Sequence, residues 1–161
     1  MLFRDRMRLS RLRSLLVLLS ALSVASVPLA AAESKILKVL PHLLDLQGRH
    51  ALSPSLYERD AYQAVLRKHP DRISALRFDI HWKAARTSGG HPVLRMELRT
   101  SKHQGNDVVI LESPLPDRGN RGWTPLTLDG PAYRDAGEIQ AWRATIRNGD
   151  QVLAESKSFL W

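Results

Sequence analysis

Six histidines (His42, His50, His69, His81, His91 and His103) are the residues best suited to acid–base or metal chemistry in this chain. None stands two or four residues from another, so no H-x-H or H-x-x-x-H pair offers two imidazoles to one metal. His81 shares a strand face with Asp79, and His91 lies beyond the next turn. A solvated strand face accounts for that arrangement better than a metal site. Glu58, Arg59 and Asp60 cluster in "YERD", where a helix start explains the acids through capping and the helix dipole. The chain has no cysteine, which removes thiolate zinc sites and thiol nucleophiles. It has no G-x-S-x-G, no S-x-x-K, no P-loop and no G-x-G-x-x-G. No catalytic, cofactor-binding or metal-binding residue is therefore expected, and the chain reads as a non-enzyme. A hydrolase assembled from scattered Asp and His would evade motifs and stays open. Of the four tryptophans, Trp82 and Trp142 lie on apolar strand faces and are expected in the core. Trp123 and Trp161 are the two candidates for stacking on a sugar ring.

The elements that must hold these side chains follow from periodicity. Residues 33–45 are apolar enough for a first strand, which Pro41 restricts to an edge or a bulge. "DLQGRHALSPS" is a loop. Ser55 stands three residues before Glu58, a capping box, and Pro70 stops the helix that follows, placing it at about 56–68. Tyr57, Ala61, Ala64 and Val65 are expected on its buried face, widened by Tyr62 and Leu66. The period then switches to two. Leu76, Phe78, Ile80, Trp82 and Ala84 face inward, and Arg77, Asp79, His81 and Lys83 outward. Leu94, Met96 and Leu98 are expected in, and Arg95, Glu97 and Arg99 out. If these two strands form a hairpin, Arg77, Lys83, Arg95 and Arg99 make one basic face; if the chain crosses between sheets, they separate. "DVVILES" reads as a strand covered on both faces, and "WTPLTLDG" as a strand with Pro125 near its start.

The end of the chain is settled by parity. A two-residue loop at Asn148-Gly149 would mix Ile146 and Trp142 with charged partners. A three-residue loop with Gly149 left-handed instead places Ile146, Ala144 and Trp142 on the face of Val152 and Ala154. The last strand is then expected to run from about Val152 to Trp161 and to be part of the core.

Residues 1–32 set the address. Arg4, Arg6, Arg8, Arg11 and Arg13 precede the apolar run "LLVLLSALSVASVPLA", and Ala30-Ala31-Ala32 satisfies a small-x-small rule. This is the pattern of a secretory signal peptide, the rival being an uncleaved anchor helix. Without it the charge falls from +8 to +4, with 19 basic and 15 acidic residues. No basic block remains, so nucleic acid is not an expected partner, nor is a membrane span after cleavage. Residues 33–161 suffice for one domain.

In "YRDAGEIQAWRATIRNGDQVLAES" the segment from Asp135 to Glu138 resembles the corner before strand F of immunoglobulin domains, followed by an F–G hairpin. Ile139 stands where the corner tyrosine belongs, and Ala141 where the cysteine belongs. The chain as a whole, through "PHLLDLQGRHALSPSLYERDAYQA", "LRFDIHW" and "KSFLW", also resembles an uncharacterised family of exported bacterial proteins. The resemblances imply export and an immunoglobulin-like antiparallel β-sandwich. About seven strands are expected, with one α-helix joining the first two. The resulting expectation is a periplasmic or extracellular, non-catalytic binding or structural module of the cell envelope, with an envelope protein or a glycan as partner. A carbohydrate-binding module and a hydrolase without a motif are the alternatives.

Overall fold

The computed structural model describes residues 33–85, 90–103, 107–116 and 119–161, all within one compact unit, Ala31–Trp161. The expected signal peptide lies outside the described residues, as do parts of three expected turns and loops (86–89, 104–106 and 117–118). Among the described residues no helix is long and apolar enough to cross a membrane.

Among the described residues seven strands form two antiparallel sheets. They are β1 (Lys35–Asp45), β2 (Ile73–Lys83), β3 (Val93–Thr100), β4 (Val109–Pro114), β5 (Arg121–Asp129), β6 (Ile139–Asn148) and β7 (Gln151–Lys157). One sheet has the order β1-β2-β5, the other β4-β3-β6-β7. Helix α1 (Leu56–Lys68) joins β1 to β2, where the capping signals placed it. A second, short helix, α2 (Gly130–Ala136), joins β5 to β6 and was not foreseen. Consecutive strands β2 and β3 lie in different sheets. The chain crosses there, and Arg77 and Lys83 are separated from Arg95 and Arg99.

Alternation decides the core. Phe78, Ile80 and Trp82 of β2 meet Leu94, Met96 and Leu98 of β3, with Leu126, Leu128, Ala144 and Ile146 filling between them. Trp82 is buried because its indole N–H donates to Thr124 Oγ1 at 2.9 Å, removing the cost of a buried donor. Trp142 is only half-buried and packs at the margin of this core. The three-stranded sheet carries a proline on each edge, Pro41 in β1 and Pro125 in β5, where the missing N–H breaks no ladder and discourages pairing with another chain.

Several expectations are corrected. The buried residues of α1 are Gln63 and Leu66, with Arg59 and Tyr62 half-covered, while Tyr57, Ala61, Ala64 and Val65 face solvent. Gln63 explains the rotation. Its Oε1 accepts from Leu43 N at 2.8 Å, and its Nε2 donates to Leu43 O at 2.9 Å and His50 O at 2.8 Å. One amide side chain thus satisfies the open edge of β1, which an apolar stripe could not do. Strand β4 is an edge strand, covered on one face only, with Ile110 exposed.

The β6–β7 turn keeps the expected parity by another route. Asn148 pairs with Gln151 across a two-residue loop, and Gly149 is left-handed at φ +58°. A register shift then makes Ile146 pair with Ala154 and Ala144 with Ser156. The bulge, not the loop length, restores the apolar face. It also sends Val152 to solvent. Strand β7 ends at Lys157, Phe159 is fully exposed and Leu160 is 71% exposed. The expectation that the last strand runs to Trp161 as part of the core is therefore corrected, because the chain turns after Ser158, whose carbonyl accepts from Trp161 N at 3.2 Å.

Candidate functional site

A cleft opens where β7 stops. Strand β7 pairs with β6 only between Asn148 and Arg143. One further contact pair follows, in which Ser158 N donates to Trp142 O at 2.9 Å and Trp142 N donates to Ser158 Oγ at 3.0 Å. Residues Ile139–Ala141 of β6 then continue with β3 on one side and no paired strand on the β7 side. Beneath them lies a cleft of about 530 Å³. Pro41 and Leu43 of β1 form one wall, Leu76 and Phe78 the floor, and Tyr133 and Trp142 the aromatic flank, with Arg67 and Glu138 among the lining residues. Gly137 shapes one end. At φ +78° its position would bring a Cβ within 2.4 Å of Ser101 Oγ, and Ser101 holds both Glu138 N and Glu138 O. Burial pushes the Tyr133 phenol above its ordinary value of 10.0, so it is a neutral hydrogen-bonding group. The volume and mixed lining suit binding of an apolar group.

The titratable cluster lies elsewhere, because β1 alternates. Leu43 faces the cleft, whereas His42 is opposite Arg77 on the outer face of the three-stranded sheet. There His42 Nε2 stands 3.5 Å from Asp79 Oδ2, Arg77 donates to Asp79 at 3.0 Å and meets His50 Nδ1 at 3.2 Å, and the two imidazoles are 4.9 Å apart. Burial holds both histidines below 6.5. The Asp79 charge opposes this at each, while neighbouring positive charges, chiefly Arg77 at His50, reinforce it. Among the described residues no three His, Asp or Glu side chains are arranged to hold a metal ion. His81, read in the sequence beside Asp79, instead accepts from Arg121 Nε at 3.1 Å.

The two tryptophan candidates are in different sheets. Trp123 on β5 is 51% exposed and stacks on His81, with ring centroids 4.6 Å apart and 9° between planes. Trp161 lies against the four-stranded sheet, with the Arg99 and Arg143 guanidinium carbons 4.2 and 4.9 Å from its ring. They cannot share one planar platform. Glu58, Arg59 and Asp60 sit at the start of α1 as expected. Glu58 N donates to Ser55 Oγ at 3.5 Å, and Glu58 takes a hydrogen bond from Ser53 rather than reaching back to Ser55 N.

Two polar centres were not read in the sequence. Asp45 ends β1 and accepts from Gln47 N, Arg49 N, Arg49 Nε and the Tyr62 hydroxyl at 2.7–2.9 Å. Burial alone would raise its pKa, but the Tyr62 hydroxyl and the Arg49 and Gln47 donors hold it at about 2. The signal was present in "DLQGR", since Asp followed by Gly three residues later is Asx-turn chemistry. Glu97 sits on the outer face as alternation requires, yet is only 6% exposed, between Arg95 and Arg143. No family model matches the chain, and no curated protein or solved structure shows significant similarity to it.

Proposed function

We propose that residues 33–161 form an exported, non-catalytic binding module of the cell envelope, built as an immunoglobulin-like sandwich, whose ligand site is the cleft beside β6. The strand order supports the finer fold reading. Lettered A, B, C, C′, E, F and G in chain order, the strands make sheets A-B-E and C′-C-F-G, an arrangement of the immunoglobulin kind in which the fourth strand pairs with the third. The signal-like residues 1–32 and the resemblance to exported bacterial proteins support export. Cell-derived protein should then begin at Glu33 or within about two residues of it; membrane-bound protein retaining Met1 would overturn that part.

The observation that carries the binding function is the cleft at the start of β6, where the edge beyond the reach of β7 is open while the other edge is paired with β3. An open strand edge above an apolar floor accepts an extended peptide, whose backbone pairs with β6 and whose alternate side chains enter the cleft. The separation of groups supports a non-catalytic reading. The histidines with lowered pKa values are on the outer face, while Tyr133, Arg67 and Glu138 are the ionisable lining of the cleft. Selection of displayed heptapeptides on the folded protein tests the function. Alternating apolar sequences should be recovered, and their binding should fall when Leu43→Trp fills the cleft. Selected peptides indifferent to Leu43→Trp would exclude the site, and turnover in a broad hydrolase panel, lost with His42→Ala, would replace binding with catalysis.

A further inference from the structure

A second surface, independent of the cleft, lies on the outer face of the three-stranded sheet. We infer that this face binds an acidic polysaccharide, with Trp123 stacking on a sugar ring and Lys35, Lys38, Lys83 and Arg121 supplying the counter-charge. The register builds the patch. Lys35, Lys83 and Arg121 are cross-strand neighbours in one row over all three strands, and Lys38, His81 and Trp123 form the next row. With strands about 4.8 Å apart and same-face residues about 6.8 Å apart along each, the four cations and Trp123, which stands at one corner, lie within a patch of roughly 10 by 7 Å.

Folding does not account for this grouping. Like charges directly across a sheet are destabilising. Among the described residues none of the four cations is in an ion pair. The acid in the middle of this face, Asp79, is engaged by Arg77, and Asp129 lies at the far end of the sheet opposite Ala75. Glu33, just before β1, is exposed and leaves the face with excess positive charge. Trp123 is the complementary half of the site. His81 supports one face of its indole, and Arg121 braces His81 in turn. The half-exposed indole is thus braced on one face by His81, and its exposed part is the stacking surface for the C–H face of a sugar.

The same features disfavour other polyanions. Single-stranded nucleic acid is held by successive aromatics along its track, and this face presents one. A bilayer surface is held by apolar side chains beside the cations, and apart from Pro125 the outer-face neighbours of Trp123, His81, Arg121 and Asp79, are polar. A polymer of uronic acid matches the face, because each ring offers both an apolar face and a carboxylate.

Affinity electrophoresis of the purified full chain through polygalacturonate, with neutral dextran as control, tests the inference. Polygalacturonate should retard the protein and dextran should not. Trp123→Ala should weaken the retardation about tenfold, and Lys83→Glu with Arg121→Glu should weaken it at least as much. Lys157→Glu, on the other sheet, should leave it close to the parent value. These side chains are at the surface, so unchanged melting temperatures will separate lost binding from lost folding. Absence of retardation overturns the inference. So does retardation that Trp123→Ala leaves intact, or binding to single-stranded DNA or anionic phosphatidylglycerol vesicles as tight as to polygalacturonate.

Discussion

At the scale of residues, the polar centres are more demanding than the candidate ligands. Glu97 is buried on an outer sheet face because two arginines close over it, Arg95 on its own strand and Arg143 across the β3–β6 ladder. Removing the carboxylate leaves two guanidinium groups confined against each other. Glu97→Ala is expected to cost about 2–3 kcal/mol, measured by urea unfolding. A loss no larger than that of Glu112→Ala, on the exposed rim of the same network, would show that Glu97 is not its centre. Trp161 contributes by a different route. Its ring carries the Arg99 and Arg143 guanidinium groups, a half-buried cation–π arrangement worth about 1 kcal/mol. Trp161→Ala should therefore destabilise by about 1 kcal/mol with packing included. Phe159→Ala, at a fully exposed position, should change stability by less than about 0.5 kcal/mol. The reverse ranking in chemical denaturation would contradict this geometry.

At the scale of elements, two segments hold their places by side chains acting on backbone. Helix α1 is bound to β1 through Gln63, two of whose three hydrogen bonds satisfy the strand edge at Leu43 while the third holds the loop at His50 O. Gln63→Leu keeps the size of the side chain but strands the Leu43 N–H and C=O. It is expected to cost about 2–3 kcal/mol and to raise aggregation through the freed edge. Val65→Ala on the solvent side should cost little. Equal losses in thermal melts would mean that α1 docks by apolar contact instead. Strand β7 and its continuation show the complementary case. Removing residues 158–161 deletes the stacked indole and the Ser158 contacts to Trp142, but no buried Phe or Leu. The expected loss is on the order of 2 kcal/mol, so the truncated protein should still unfold cooperatively at a lower temperature.

At the scale of the whole molecule, acid sensitivity follows from where the titratable groups are buried. His42 and His50 have pKa values below the ordinary 6.5 in the folded chain. As pH falls below 6.5 the unfolded chain takes up protons first, so the stability these groups contribute is complete above that value and declines beneath it. Asp45 acts lower. Its folded value of about 2 lies under the ordinary 3.8, so its contribution is present above 3.8 and lost as pH falls through about 2. Urea midpoints should therefore decline in two acid phases, the first below pH 6.5 and the second below pH 3.8. His42→Gln with His50→Gln should flatten the first phase only, and Asp45→Asn the second only. A single phase unaffected by either set would exclude these assignments.

The sequence by itself determined the elements whose signals are local. Strand β2 declared itself by ten residues of strict alternation, α1 by Ser55 and the stop at Pro70, and the parity of Ile146 and Ala144 by the need to keep an apolar face together. Period and capping depend on neighbours in the chain, so they survive without knowledge of the fold. Which face of α1 turns inward was not legible, because Gln63 answers an unpaired edge twenty residues away. The burial of Glu97 likewise depends on Arg143, which reaches it only through the β3–β6 register. The exposure of Phe159 and Leu160 and the cleft beside β6 share one cause. They reflect where β7 stops pairing, and that is decided by the competition among the outer-face stack on Trp161, the Ser158 turn and the sheet. The tertiary structure alone settles such a competition, because its terms are contacts between residues far apart in the chain.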